Sequence, residues 1–132
     1  MAIFQDVDAR AHAASAVATA LALLDATKAL NETNGTQPLA IHLGLNSGLA
    51  LVGSTRFEGL RGTRWTFTAS GPVTNLAARL AATAGVGQLL VGPETARRLG
   101  DSYRVQRLGQ ARLKNLDTPV EIHRVLGSSM IQ

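Results

Sequence analysis

Asn75 and Arg79 stand four positions apart in the stretch Pro-Val-Thr-Asn-Leu-Ala-Ala-Arg-Leu that begins at Pro72. At about 100° per residue, that spacing puts both side chains on one face of a helix. Val73, Leu76, Ala77 and Leu80 cluster on about one third of the circumference, and the Asn/Arg face lies about 130° from the centre of that stripe. The core therefore leaves the pair free to point at a ligand near the first turns of the helix. A guanidinium fork suits charge spread over phosphate oxygens. A solvated helix surface also carries such pairs, so residue type alone leaves both readings open.

Other chemistries are excluded by composition. The 132 residues contain no cysteine, which removes disulfides, thiolate metal sites and cysteine nucleophiles. His12, His42 and His123 are far apart and show no metal-ligand spacing, so a zinc site is not expected. The net charge of +4 comes from eleven arginines and two lysines spread through the chain, with only Arg97 and Arg98 adjacent. That balance fits a mildly basic surface and also a nucleotide polyphosphate, more than a nucleic-acid footprint. An apolar fraction of 45% and a charged fraction of 17% are those of an ordinary soluble domain. The longest apolar run, Ala13 to Leu24, is broken by Ser15 and Thr19 and is too short and weakly hydrophobic to span a bilayer. No signal peptide is read at the start, and the chain is expected to be cytoplasmic, whether free or as the cytoplasmic end of a longer membrane-tethered protein.

The elements that must position the pair follow from periodicity. Residues 9–33 read as one helix, with Val17, Leu21 and Leu24 on its apolar face, Asp8 as N-cap and Asn34-Gly35 as its stop. Leu39, Ile41, Leu43 and Leu45 alternate with Ala40, His42, Gly44 and Asn46, the pattern of a strand buried on one face. Asn46-Ser47-Gly48 reads as a turn into a second strand over residues 49–53, making a hairpin. Residues 54–63 read as a polar loop carrying Arg56 and Arg61, and residues 65–68 as a short strand. Ser70-Gly71-Pro72 opens the helix of Asn75 and Arg79, which ends near Gly85. A strand over 88–91, a helix from Pro93 to Gly100, and strands over 103–108 and 120–126 complete the chain. The order predicts an α+β sheet with its helices on one face. Residues 1–127 form the domain, and 128–132 are expected to be a frayed tail.

Gly71-Pro72-Val73-Thr74-Asn75-Leu76-Ala77-Ala78-Arg79-Leu80 closely resembles the class III nucleotidyl cyclase signature G-x-x-x-N-x-A-A-R-L. Other family motifs follow in register. Leu43-Gly44-Leu45-Asn46-Ser47-Gly48 resembles I-G-I-H-T-G, and Gly87-Gln88-Leu89-Leu90-Val91 with Glu94-Thr95 resembles P-G-Q-I-L-V…E-T. Leu108-Gly109, Leu113-Lys114-Asn115-Leu116 and Pro119-Val120-Glu121-Ile122 are similar to the closing motifs. The resemblance implies a ferredoxin-like class III cyclase fold of bacterial type. It implies a phosphorus–oxygen lyase that turns ATP, less readily GTP, into the 3′,5′-cyclic nucleotide and pyrophosphate in signal transduction. Asn75 would orient the ribose, and Arg79 would stabilise charge on the phosphate. Thr68, seven residues before Asn75, falls where the family reads the base. Lys114 would reach the triphosphate.

The resemblance also implies what this chain lacks. Met1-Ala2-Ile3-Phe4 looks like the second strand of the family's first hairpin, so the first strand, helix and first hairpin strand, with both metal aspartates, would align upstream of residue 1. Asp6 and Asp8 lie past that strand and are not expected to ligate Mg²⁺ or Mn²⁺. The chain alone is then expected to be inactive, as a homodimer included, and to need a complementing cyclase subunit. Open sheet edges predict self-association. The loop at 54–63 is longer than the family's connection, and Pro72 replaces a frequent Asp. Two other readings are a non-catalytic cyclase-homology module for dimerisation or regulation and an unrelated ferredoxin-like RNA-binding domain. The latter would want an RNP-type strand, which Tyr103-Arg104-Val105-Gln106 does not supply.

Overall fold

The computed structural model describes residues 1–33 and 37–129. The first helix, α1, spans Ala9–Thr33. Asp8 caps it as expected: the backbone N–H groups of Arg10 and Ala11 donate to Asp8 Oδ1 at 2.9 and 3.4 Å. The expected stop at Asn34-Gly35 lies outside the described residues. The returning chain is stapled to the last turn of α1, because Asn31 Nδ2 donates to the Leu39 carbonyl and the Leu39 N–H donates to Asn31 Oδ1, both at 2.8 Å.

Beyond α1 come β1 (Leu43–Leu45), β2 (Leu51–Gly59), β3 (Gly62–Ser70), α2 (Pro72–Thr83), β4 (Leu89–Val91), α3 (Pro93–Leu99), β5 (Tyr103–Ala111) and β6 (Val120–Ser128). The main sheet has the order β1-β4-β6-β5, with β1 and β4 parallel and the other neighbours antiparallel. Gly127 and Ser128, which the sequence places at the domain's frayed edge, continue β6 and pair with Arg104 and Tyr103.

The hairpin expected from residues 39–53 does not form. The Leu43 N–H donates to Gln88 and the Gly92 N–H to Leu45, so β4 claims the backbone of β1. The segment 51–53 instead starts a longer ribbon in which β2 pairs antiparallel with β3 from Leu51↔Ser70 to Gly59↔Gly62. Leu60-Arg61 is the two-residue connection, and Gly62 takes φ 122°, a conformation other residues rarely adopt. The expected polar loop at 54–63 is thus mostly strand. Its cross-strand pairs, not core burial, hold it, and polar composition hid them.

Helices cover both faces of the sheet, not one. Leu89 and Val91 join Val17, Ala20, Leu99 and Val125 in a cluster under α1 and α3. Leu90 points to the opposite face, where Leu80, Ala84, Leu113 and Ile122 pack under α2. Three consecutive apolar residues in a central strand require cover on both sides. Val17, Leu80 and Val91 are completely buried, and each such side chain contributes about 1.5–3 kcal/mol relative to exposure. The architecture is an α+β, ferredoxin-like domain.

Candidate active site

The signature helix α2 begins where β3 ends. Gly71, at φ 116°, turns the chain, Pro72 supplies the first helical residue, and the Asn75 N–H donates to the Gly71 carbonyl at 3.0 Å. Leu80 is fully buried and Leu76 packs beside it, so the apolar stripe faces the sheet. Asn75 is exposed and Arg79 half-buried on the other side. No carboxylate or hydrogen-bond partner meets the Arg79 guanidinium among the described residues. The first turn of α2 carries no acidic residue, so its positive end is not neutralised from within the helix.

Thr68 lies in β3 opposite Gly53, half-buried, and only three residues separate it from Pro72. Thr68, Asn75 and Arg79 therefore belong to one continuous strand–turn–helix segment. Lys114 is exposed on the turn between β5 and β6. That turn is closed by the Leu116 N–H donating to Leu113 at 3.1 Å, with Asn115 in the left-handed region at φ 65°. Leu113 and Leu116 belong to the cluster under α2, which puts Lys114 on the same face of the sheet as the signature helix. No side-chain hydrogen bond links the four residues among those described, so each is available to a ligand.

The donor set does not fit a divalent metal. No group of three or more His, Cys, Asp or Glu side chains converges among the described residues. Asp8 Oδ1 caps α1, and Asp6 Oδ1 accepts the Asp8 N–H at 3.4 Å, so both nearby carboxylates serve the helix start.

The face of His42, Gly44 and Asn46, which the sequence read as the polar side of a strand buried on one face, is where α2 docks, with Gly48 of the following turn beside it. His42 Nδ1 donates to the Ala81 carbonyl at 2.5 Å, and Asn46 Nδ2 donates to the Val73 carbonyl at 3.1 Å. A Cβ on Gly44 would collide with the Ala81 nitrogen and lie 2.5 Å from the Ala77 carbonyl oxygen. One on Gly48 would lie 2.8 Å from the Val73 side chain. The signal that could have shown this was Gly44 and Gly48, two glycines on one face where a second layer comes close.

A different set of charges ties α3 to α1. Glu94 accepts Arg97 Nε at 2.9 Å and Arg97 Nη2 at 2.5 Å, and also Arg98 Nε at 2.9 Å. These hydrogen bonds, that from Arg97 foremost and then that from Arg98, hold the Glu94 carboxyl at about 2. Arg98 also reaches His12 Nε2 at 3.4 Å.

Comparison with known proteins gives this arrangement its family. A model described as the adenylate and guanylate cyclase catalytic domain matches residues 1–127. The adenylyl cyclase CyaB from P. aeruginosa is 30% identical, with a TM-score of 0.82 over 95% of this chain and 65% of that one. The guanylyl cyclase Cya2 is 27% identical, with a TM-score of 0.77 over 89% of this chain and 59% of that one. An uncharacterized protein of Rhizobium meliloti (strain 1021) is 29% identical over 123 residues, which are 92% of this chain and 12% of that protein. The chain belongs to the class III adenylate and guanylate cyclase catalytic domain family. It spans less than two thirds of the length of these relatives.

Proposed function

We propose that this chain supplies the Asn/Arg side of a nucleotidyl cyclase site, acting on ATP in preference to GTP in intracellular signalling. One observation carries the reading. Asn75 and the unpaired guanidinium of Arg79 stand together on the face of α2 that the core does not use. In the reaction the 3′-hydroxyl attacks the α-phosphate, the O3′–Pα bond forms as the hydroxyl proton passes to solvent, and the bond to the β-phosphate breaks as pyrophosphate leaves. Asn75 orients the ribose, and Arg79 neutralises the charge that spreads over the phosphate oxygens in the transition state. Lys114 meets the triphosphate as a cation, and the Thr68 hydroxyl meets the base. The preference for ATP follows the likeness to an adenylyl cyclase at 30% identity.

Bound Mg²⁺ or Mn²⁺ would supply charge neutralisation on the triphosphate, but the donors of this chain do not fit it. The chain therefore acts with a metal-bearing cyclase subunit and is inactive by itself. A cytoplasmic site of action accords with nucleotide chemistry. The run Ala13 to Leu24 reads as too short to span a bilayer, but α1 taken whole is long and apolar enough to cross one. In the fold it instead buries Ala13, Ala16, Val17 and Ala20.

The unmet metal donors also support a second reading, a non-catalytic module that dimerises with or regulates another cyclase domain. A single mixing experiment separates the two. The chain is combined with a complete cyclase domain whose own signature Asn and Arg are replaced by Ala, and cyclic nucleotide is assayed with Mn²⁺ and ATP or GTP. Activity that appears in the mixture and is lost with Arg79→Ala supports the catalytic reading. No activity at any ratio supports the module.

A further inference from the structure

From the contacts between β1 and α2 we infer that Asn46 and His42 are positioning residues that fix the axial height and rotation of the signature helix. The inference rests on the catalytic reading only for its kinetic consequence. Its geometry stands apart from that reading. Three contacts run in antiparallel order along the two elements: Asn46 to Val73, Gly44 to the backbone of Ala77 and Ala81, and His42 to Ala81. The two end bonds are four residues apart on the strand side and eight apart on the helix side, with Gly44 between them.

The spacings are commensurate. Four residues of extended chain from 42 to 46 cover about 13 Å. Eight residues of helix from Val73 to Ala81 cover about 12 Å. Both end bonds therefore close in one register and in no neighbouring one. A slip of one residue would move the helix by about 1.5 Å and turn it by about 100°. Gly44 fills the middle with hydrogen alone, so the helix backbone lies directly on the strand and cannot tilt about the two ends.

Each bond also meets a need of the helix. Ala81 is among the last carbonyls of α2, and the Gly85 N–H that could have reached it donates to Gln88 Oε1 instead, at 2.8 Å. His42 provides the missing donor. Because a carbonyl only accepts, the imidazole holds its hydrogen on Nδ1. At the opposite end, the Asn46 amide is held between Val73 and the Gly92 backbone, where an added Cβ would approach Asn46 Oδ1 to 2.5 Å. Asn75 and Arg79 lie between the two anchors and inherit their precision.

The test uses Asn46→Asp, which keeps the shape and removes the donor to Val73. In the complementing mixture, kcat is expected to fall about tenfold or more with little change in KM for the nucleotide, as a misplacement of about 1 Å would produce. The ratio of variant to parent activity should recover as pH falls far enough to protonate the introduced carboxylate, since the neutral carboxylic acid can donate again. The second measurement needs no activity: amide and side-chain NMR signals of Asn75 and Arg79 in the chain with either Asn46→Asp or His42→Ala. Their displacement in both variants, and not in Lys28→Ala on the exposed side of α1, is the expected result. Signals of Asn75 and Arg79 unmoved by both substitutions, or an equal kcat for Asn46→Asp at every pH, would overturn the proposal. A parent mixture without activity would overturn the catalytic reading, and the NMR comparison would still decide the positioning.

Discussion

At the residue scale, the proposed chemistry depends on Arg79 being both placed and unpaired. Arg79→Ala should lower complemented activity by about 10²–10³ with the fold intact, which parallel activity and circular dichroism measurements would check. Arg79→Lys keeps the charge but loses the planar fork, so it should recover only a minor part of the activity. Lys114→Ala, on an exposed turn, should raise KM for the nucleotide more than it lowers kcat. Glu94 gives a prediction without catalysis. Its carboxyl is held near 2 against an ordinary 4.5, so its stabilisation is present above 4.5 and is lost as pH falls toward 2. Melting temperature followed over that range should fall more steeply in the parent than in Glu94→Gln. That Asn75 and Arg79 share a face of α2 outside the core was legible in sequence, because their spacing and the apolar stripe agreed. His42 and Asn46 were not, because an alternating polar position on a strand looks the same whether it faces water or the carbonyls of a helix.

At the element scale, the fixed quantity is the contact between β1 and α2. Gly44→Ala would drive a methyl group into the backbone of Ala77 and Ala81, where no flexible atom can yield. A loss of about 3 kcal/mol or more is expected in chemical denaturation, beyond the usual overpacking of side chains. The starts of the three helices were legible from Asp8, Pro72 and Pro93, and the end of α3 from Gly100, because caps and prolines act locally. Strand partnership was not. Residues 39–53 contain two strand-like runs and a turn, and nothing local says that β4, more than forty residues further on, outcompetes the nearer partner. The ribbon of β2 and β3 was hidden for a different reason: its partners are neighbours in sequence, but the polar, glycine-containing run 54–63 reads as a loop. The second layer over the sheet was implied by Leu89-Leu90-Val91 alone, all three buried.

At the scale of the whole molecule, two surfaces are incomplete. The outer edge of β1 has no strand beside it among the described residues. The β2–β3 ribbon is a separate two-stranded sheet that exposes Leu51 at 77% and Trp65 at 65%. Isolated ribbons of this kind are marginally stable in water, so a second cyclase domain seated on it would order it. Trp65 fluorescence should shift to the blue on association, and the association should weaken with Trp65→Ala, as measured by sedimentation against concentration. The tip of that ribbon, Leu60-Arg61, touches neither hydrophobic cluster. Residues before it carry α1 and β1, while residues after it carry α2, α3 and the other three strands of the main sheet. Val17 and Ala20 from the first piece pack with Leu89, Val91, Leu99 and Val125 from the second, and the strand-to-helix anchors cross the same division. Residues 1–60 and 61–132, expressed as separate chains, should therefore find each other and copurify. The domain would then work as a split protein whose reassembly could be placed under the control of any pair of interacting tags fused at the ribbon tip.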